Sequence, residues 1–231
     1  MTITSPGRGV VLHPDLPAVQ FPALTQCGGV AHCFTSRVAG LDVAHDKAEA
    51  LRRLDRVHRE IRSALGEGRQ PFITAEQVHG RKIGVVSGLK ERDECFDGCD
   101  GLITNQRAAC LGIYVADCCA VFLVDSVRGA IGLVHSGKNG TELAIVGNAI
   151  AQMAAEFGSA PADLVVQLSP CIRPPHYEID FAAQIIAQCR EYGVEKVHDS
   201  GVCTACTLDR YYSYRAEKGK TGRMLAMLAL V

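Results

Sequence analysis

Between residues 71 and 136 the chain is a succession of short β-prone runs, PFITA, KIGVV, GLIT, CLGIYVA, AVFLVD and GAIGLVH, separated by Gly, Asp and Asn. β-Branched and aromatic side chains suit a pleated, half-buried surface, and the punctuating residues suit turns, so this stretch is predicted to be sheet. Helical spacing lies on either side. Ala48, Leu51, Leu54, Val57, His58, Ile61 and Leu65 recur among charges and predict an amphipathic helix over 46–65. Further along, 139–157 reads as a helix, LVVQLS as a strand, 181–192 as a helix, and the apolar C-terminal GRMLAMLALV as a short helix. Residues 1–30, rich in Pro, Gly and short apolar groups, predict extended segments joined by turns. Strands followed by mixed helices fit an α+β fold better than a doubly wound sheet, and no linker or repeat divides 1–231, which predicts a single domain.

Composition narrows the function. With 231 residues and 48% hydrophobic content the chain can close a substantial core. Its 24 Lys plus Arg against 25 Asp plus Glu leave no positive excess to gather polyanions, so no nucleic-acid partner is expected. No apolar run reaches the roughly 18 residues of a membrane span, and the start lacks a basic stretch followed by a long apolar core, so no membrane role is expected. Eleven cysteines, an odd number without an export signal, predict reduced thiols in a cytoplasmic protein rather than a disulfide framework.

Three segments place a metal-capable side chain where an apolar strand gives way to a turn: EQVHG at His79, VADCC at Cys118 or Cys119, and LVHSGKNGT at His135. Strand ends hold ligands rigidly, and the adjoining turns admit a substrate. Two imidazoles and a thiolate are a known shell for catalytic zinc, with the fourth position left open. Strand alternation allows only one of the two adjacent cysteines to face the site. Asp117 reads either as a group that orients a ligand or takes a proton, or as a turn residue. Arg37, Lys138, Arg215 and Arg223 are the cations placed among Gly, Ser or Thr where an anionic substrate group could be met. In SPCIRPPHYEID, with its Cys171 and His176, Tyr177 is a candidate wall of a binding pocket. Cys203 and Cys206 form a CxxC with neither a second pair nor a nearby His, which favours two packed thiols.

Taken in order, QVHG, DGLIT, VADCCAVFLVD, GLVHSGKNGT, PCIRPPHYEID and YYSYRAEKGKTGRM resemble the signature segments of the laccase-domain family, also called the multicopper polyphenol oxidase or YfiH-like family. That family includes purine nucleoside phosphorylases and a peptidoglycan editing factor. The resemblance runs from about residue 34 to 224. It implies mixed β-sheets packed together with helices outside, and a metal, Zn2+ with Cu2+ as the alternative, held by His79, Cys118 and His135. It selects Cys118 over Cys119. Implied with it are catalytic roles for Cys118 and Asp117, and substrate contacts from Arg37, Gln77, Lys138, Tyr177 and Arg215.

The activity implied is zinc-dependent phosphorolysis of purine nucleosides, including methylthioadenosine, with deamination of adenosine; the substrates are then a purine nucleoside and phosphate. Besides a non-catalytic metal- or nucleoside-binding protein, two alternatives remain. One is a cysteine-nucleophile hydrolase or amidase acting on cell-wall precursors, with Cys118 activated by His135. The other is a copper-dependent polyphenol oxidase, for which a multicopper relay needs more His ligands than these positions provide. The chain departs from the family where VHAGWRGT is usual: here VHSGKNGT puts Lys138-Asn139 in place of Trp-Arg, removing a guanidinium fork and leaving a point charge. FTSRVAGLDVAHD also lacks the longer Gly- and Asn-rich stretch usual after Arg37, which predicts a shorter pocket wall.

Overall fold

The computed structural model describes residues 10–88 and 91–231. In chain order the elements are β1 (Ala18–Val19), α1 (Pro22–Cys27), β2 (Val30–Thr35), α2 (Lys47–Ala64), β3 (Phe72–Ala75), β4 (Ile83–Val85), β5 (Glu94–Phe96) and β6 (Gly101–Thr104). Then follow β7 (Cys110–Val115), β8 (Cys119–Asp125), β9 (Ala130–Ser136), α3 (Lys138–Glu142), α4 (Ile145–Phe157), β10 (Val165–Leu168), α5 (Phe181–Glu191), β11 (Lys196–Asp199) and β12 (Met224–Leu230).

The strands form two mixed sheets, ordered β1-β2-β12-β7-β3-β5 and β11-β10-β8-β9-β6-β4. Strand alternation explains how they stack. In β8, Ala120, Phe122 and Val124 face the first sheet, where they meet Leu111, Ile113 and Val115 of β7 and Met224, Ala226 and Leu228 of β12. The intervening Cys119, Val121 and Leu123 face the other way, into Ile145, Ile150 and Met153 of α4 and Ile185 of α5. On the far side of the first sheet Cys33, Cys110, Leu225 and Met227 pack with Ile61 and Leu65 of the α2 region. The order of layers is helix, sheet, sheet, helices. This α+β arrangement of packed sheets with outer helices is the fold expected.

Local expectations fared unevenly. Helix α2 begins where predicted, with the Asp46 side chain accepting the Glu49 N–H at 3.0 Å, and it buries Ala50, Leu54, His58 and Ile61 along one stripe. The C-terminal GRMLAMLALV is not a helix. It supplies β12, which pairs antiparallel with β2 on one side and β7 on the other. A strand buried on both faces reads as an unbroken apolar run, so no polar alternation distinguishes it from a buried helix. The helix over 139–157 is broken at Ala144, which is left-handed at φ 53°, ψ 41°. Thr141, bonded through its hydroxyl to Ser136 at 2.9 Å and through its carbonyl to the Gln188 side chain at 2.7 Å, anchors the first turn to the end of β9 before α4 sets off along the sheet. Within 1–30, residues 1–9 lie outside the described residues, and Pro22 opens a helix rather than an extended stretch because its fixed φ suits the first helical turn. No helix among the described residues is long and apolar enough to cross a membrane.

His32 on β2 is buried, and its Nε2 accepts the Phe21 N–H at 2.8 Å, tying the start of α1 to the sheet. Burial pushes its pKa down to about 4. Because the folded-state value lies below that of the unfolded chain, this stability is complete above about pH 6.5 and is lost as pH falls towards 4. Urea unfolding is expected to show wild type losing roughly 1–2 kcal/mol more than His32→Gln between about pH 7.5 and pH 5.

Candidate metal centre

The site is assembled at the strand ends from three connections. Residues 76–80 lead from β3 to β4, residues 116–118 carry the chain from β7 in one sheet to β8 in the other, and residues 135–137 lead from β9 into α3. Gln77, His79 and Asp117 adopt positive φ of 65°, 61° and 82°. A non-glycine residue in this region costs about 1–2 kcal/mol, and such strain persists only where surrounding bonds hold it.

Those bonds are present. The fully buried carboxylate of Asp100 accepts the backbone N–H of His79 at 2.8 Å through Oδ1, and those of Gly80 at 2.7 Å and Val78 at 3.2 Å through Oδ2. Gln77 adds a second clasp: its side-chain Nε2 donates to the Tyr114 carbonyl at 2.6 Å and its Oε1 accepts the Tyr114 N–H at 3.0 Å. Asp117 is held through both oxygens, by the Thr204 hydroxyl at 2.7 Å and the Arg215 N–H at 2.7 Å.

Asp100 also orients a ligand. Its Oδ1 lies 3.0 Å from His135 Nδ1, which directs Nε2 of the ring at the site. His79 and His135 meet edge to face with ring centroids 4.9 Å apart. The ligand atoms of His79, Cys118 and His135 all lie within 4.8 Å of one another, the one such group among the described residues. Burial alone would raise the Cys118 thiol, but the charge of His135 and hydrogen bonds from both imidazoles outweigh it and bring the pKa down to about 6. Burial alone would lower His135, yet the Cys118 thiolate and Asp100 hold it up at about 9. Asp100 is carried below the usual carboxylate range: burial opposes this, and the bonds from His135, Gly80 and His79 prevail. Two negative groups thus flank His135, and the pocket calls for a cation. Two imidazoles and a thiolate at this spacing fit a transition metal with three protein ligands.

The three residues form one end of a cavity of about 390 Å3, within the size range of small-molecule sites. Gln77, Asp117, Lys138, Tyr177, Arg215 and Arg223 line it with them. Arg37 does not. Its guanidinium is engaged by the 211–217 segment instead, 2.8 Å from Glu217, 3.1 Å from the Tyr211 carbonyl and over the Tyr212 ring. Cys119 points into the core beneath α4 and α5. All eleven cysteines are free thiols, and among the described residues Cys203 and Cys206 belong to no cluster of three metal-capable groups. Lys47, Phe181 and Tyr214 line the cavity without any prior signal in the sequence. Asp100 was missed too, because in FDGCDG it reads as one more turn residue.

The profile of the multi-copper polyphenol oxidoreductase laccases matches residues 22–184 and 175–231. The chain belongs to that family. It is 26% identical over 245 residues to the purine nucleoside phosphorylase YlmD of Bacillus subtilis (strain 168), covering 89% of this chain and 86% of that protein. To a purine nucleoside phosphorylase of Deinococcus radiodurans it is 28% identical over 248 residues, 94% of each chain. The crystal structure of YlmD from Geobacillus stearothermophilus shares the fold with a TM-score of 0.79 at 23% identity, covering 96% of this chain and 99% of that one.

Asp100→Asn is expected to lower metal affinity by about 10–100-fold, read by competition with a chromogenic chelator, since an amide cannot accept all four donors. At Gly137 an added Cβ would lie 2.5 Å from Cys118 Sγ. Gly137→Ala is therefore expected to displace the thiol and reduce bound metal per chain, with the far-UV circular dichroism unchanged.

Proposed function

We propose that this protein is a zinc-dependent purine nucleoside phosphorylase that also deaminates adenosine and cleaves methylthioadenosine, working in the cytoplasm. The observation that carries this reading is the His79, Cys118, His135 group set into a cavity with aromatic walls and surplus cations. Its similarity to relatives named purine nucleoside phosphorylases supports the substrate class. Free thiols throughout the chain suit a reducing compartment.

His79, Cys118 and His135 would hold the zinc, with Asp100 keeping His135 in the tautomer that ligates through Nε2. Bound there, zinc supplies a Lewis acid with an open coordination position. In phosphorolysis a phosphate oxygen bonds to C1′ of the ribose while the bond from C1′ to the purine nitrogen breaks, its electron pair leaving with the base. The chain's contribution is orientation and electrostatics. Tyr177, packed edge to face on buried Phe181 at 5.8 Å, and Tyr214 offer ring surfaces to the flat base. Lys138, Arg215 and Arg223 offset the negative charge of phosphate. Asp117, held by the Thr204 hydroxyl and the Arg215 N–H with acceptor sites left over and lining the cavity, would assist proton movement as well as position the 116–118 turn.

The low pKa of Cys118 beside His135 also suits a cysteine nucleophile, so a metal-free hydrolase is the second reading. Copper oxidation of phenols is weaker, because a single group of metal-capable residues is found among the described residues.

Zinc-loaded protein given inosine and phosphate is expected to release hypoxanthine and ribose 1-phosphate, and with adenosine alone to form inosine. Chelation, or Cys118→Ala, is expected to abolish both. Turnover that survives complete metal removal would assign the site to the cysteine hydrolase, and no nucleoside turnover by zinc-replete protein would remove the phosphorylase reading.

A further inference from the structure

The CxxC of Cys203 and Cys206 lies outside the metal group and outside the cavity wall. Its backbone is a single turn of 3-10 helix over Thr204–Cys206, with Cys203 as the cap and the Cys206 N–H donating to the Cys203 carbonyl at 3.2 Å. In such a turn side chains three apart eclipse one another, and the end Cα atoms stay within about 7 Å, close to the span of about 4.4–6.8 Å that a disulfide bridges. The two thiols accordingly meet. The Cys206 S–H is hydrogen-bonded to Cys203, a bond that holds the Cys206 thiol above its ordinary value. Cys203 in turn donates from Sγ to the Arg173 carbonyl at 3.9 Å. Cys206 is exposed and Cys203 is buried behind it, so exposure rather than acidity makes Cys206 the sulfur that an oxidant reaches first.

The residue next to Cys203 ties this turn to the site. The Thr204 hydroxyl donates to Asp117 Oδ1 at 2.7 Å, and the Thr204 N–H donates to the Cys171 carbonyl at 3.2 Å. Asp117 directly precedes Cys118, and its left-handed backbone is held by that hydroxyl and by the Arg215 N–H. Arg173, whose carbonyl accepts from Cys203, follows Ile172 in the segment that also brings Tyr177 to the cavity. The reduced turn therefore grips both the connection that presents Cys118 and one wall of the cavity.

We propose that Cys203 and Cys206 are a reversible thiol–disulfide site, closed by low-molecular-weight disulfides of the oxidised glutathione class, and that closure loosens the metal group. The second half rests on the His79, Cys118, His135 reading, and the first half does not. The Cys206 thiolate attacks one sulfur of the oxidant, forming a mixed disulfide and expelling one glutathione thiolate. The Cys203 thiolate then attacks the Cys206 sulfur, so the bond between the two cysteines forms as the mixed disulfide breaks and the second glutathione leaves. The two thiol protons pass to solvent or to the departing glutathiones, and the two electrons given up by the protein reduce the oxidant to two thiols. Sulfurs now in hydrogen-bonding contact must close to about 2.05 Å, and the S–H donor to Arg173 is lost, so the turn that carries Thr204 tightens. Transient disulfides of this kind are the ones that occur in reducing compartments.

The test holds zinc-loaded protein in glutathione buffers of increasing oxidised fraction, alkylates the free thiols, and weighs the tryptic peptide 197–210. In wild type this peptide is expected to lose two hydrogens and take no label, and to regain both thiols in dithiothreitol. In step with closure, the rate at which a chromogenic chelator strips zinc is expected to rise severalfold. Cys206→Ser is expected to keep the reduced wild-type rate in every buffer, which separates this pair from the other cysteines. Thr204→Val is expected to close its disulfide as wild type does, but to release zinc fast from the outset with no further response to the oxidant. Thiols in 197–210 that stay free in buffers able to glutathionylate the exposed Cys95 overturn the site. Oxidant-accelerated zinc loss from Cys206→Ser, or an unchanged rate in closed wild type, overturns the link to the metal group. Reduced wild type that binds no zinc while closure stays reversible removes the metal reading and leaves the thiol site standing.

Discussion

Asp100 carries a carboxylate into the interior with no solvent exposure, and the candidate metal centre depends on how that charge is satisfied. A buried carboxylate is tolerated only when its lone pairs are filled by donors. Here the donors are three consecutive backbone N–H groups of residues 78–80 and the ring of His135, so one side chain at the start of β6 binds the loop that presents His79 to the strand end that presents His135. Its own carbonyl accepts the His135 N–H at 2.7 Å, which fixes the second ligand's backbone as well as its ring. The left-handed backbone at Gln77 and His79 is held in place by this arrangement.

The third ligand comes from a different constraint. Cys118 lies on the connection that leaves one sheet and enters the other, and Asp117 holds that connection in a left-handed turn by accepting bonds from two distant segments, at Thr204 and Arg215. One residue later the strand has begun, alternation takes over, and Cys119 is packed in the core beneath the helices. Two adjacent thiols therefore have different surroundings: Cys118 lines the cavity, where the imidazoles bring it down to about 6 against the effect of burial, and Cys119 is enclosed by apolar side chains. The space at Gly137 completes the setting, since a side chain there would occupy the volume of the sulfur.

The two-sheet core positions the site without taking part in it. Because the sheets stack face to face, the turns at one end of both converge, and residues separated by 56 positions in sequence, from His79 to His135, bring their ligand atoms within 4.8 Å of one another. The cavity that opens there takes its aromatic surface from the 172–181 and 211–215 segments and its charge from Lys138 and Arg223.

Turn chemistry, strand runs and the helical stripe of α2 were legible because they are local: Gly, Asp and Asn mark the turns, and Leu54, His58 and Ile61 mark the buried face, although Ala50 rather than the exposed Ala48 begins it. The ordered signature segments also made the His79, Cys118, His135 group visible before any coordinates. The strand character of β12 was not legible, since Met224 to Leu230 is apolar on both faces and only its two neighbours decide the matter. Nor were the fates of Arg37 and Arg223, both arginines in polar segments. Glu217 takes the first, while the second is buried among carbonyls with donors to spare. Local pattern determines which stretches are strands, helices and turns, and which residue types are available for chemistry. Which charge is paired, which is left open, and which carboxylate holds the ligands depends on neighbours distant in sequence, and only the packed tertiary structure supplies those.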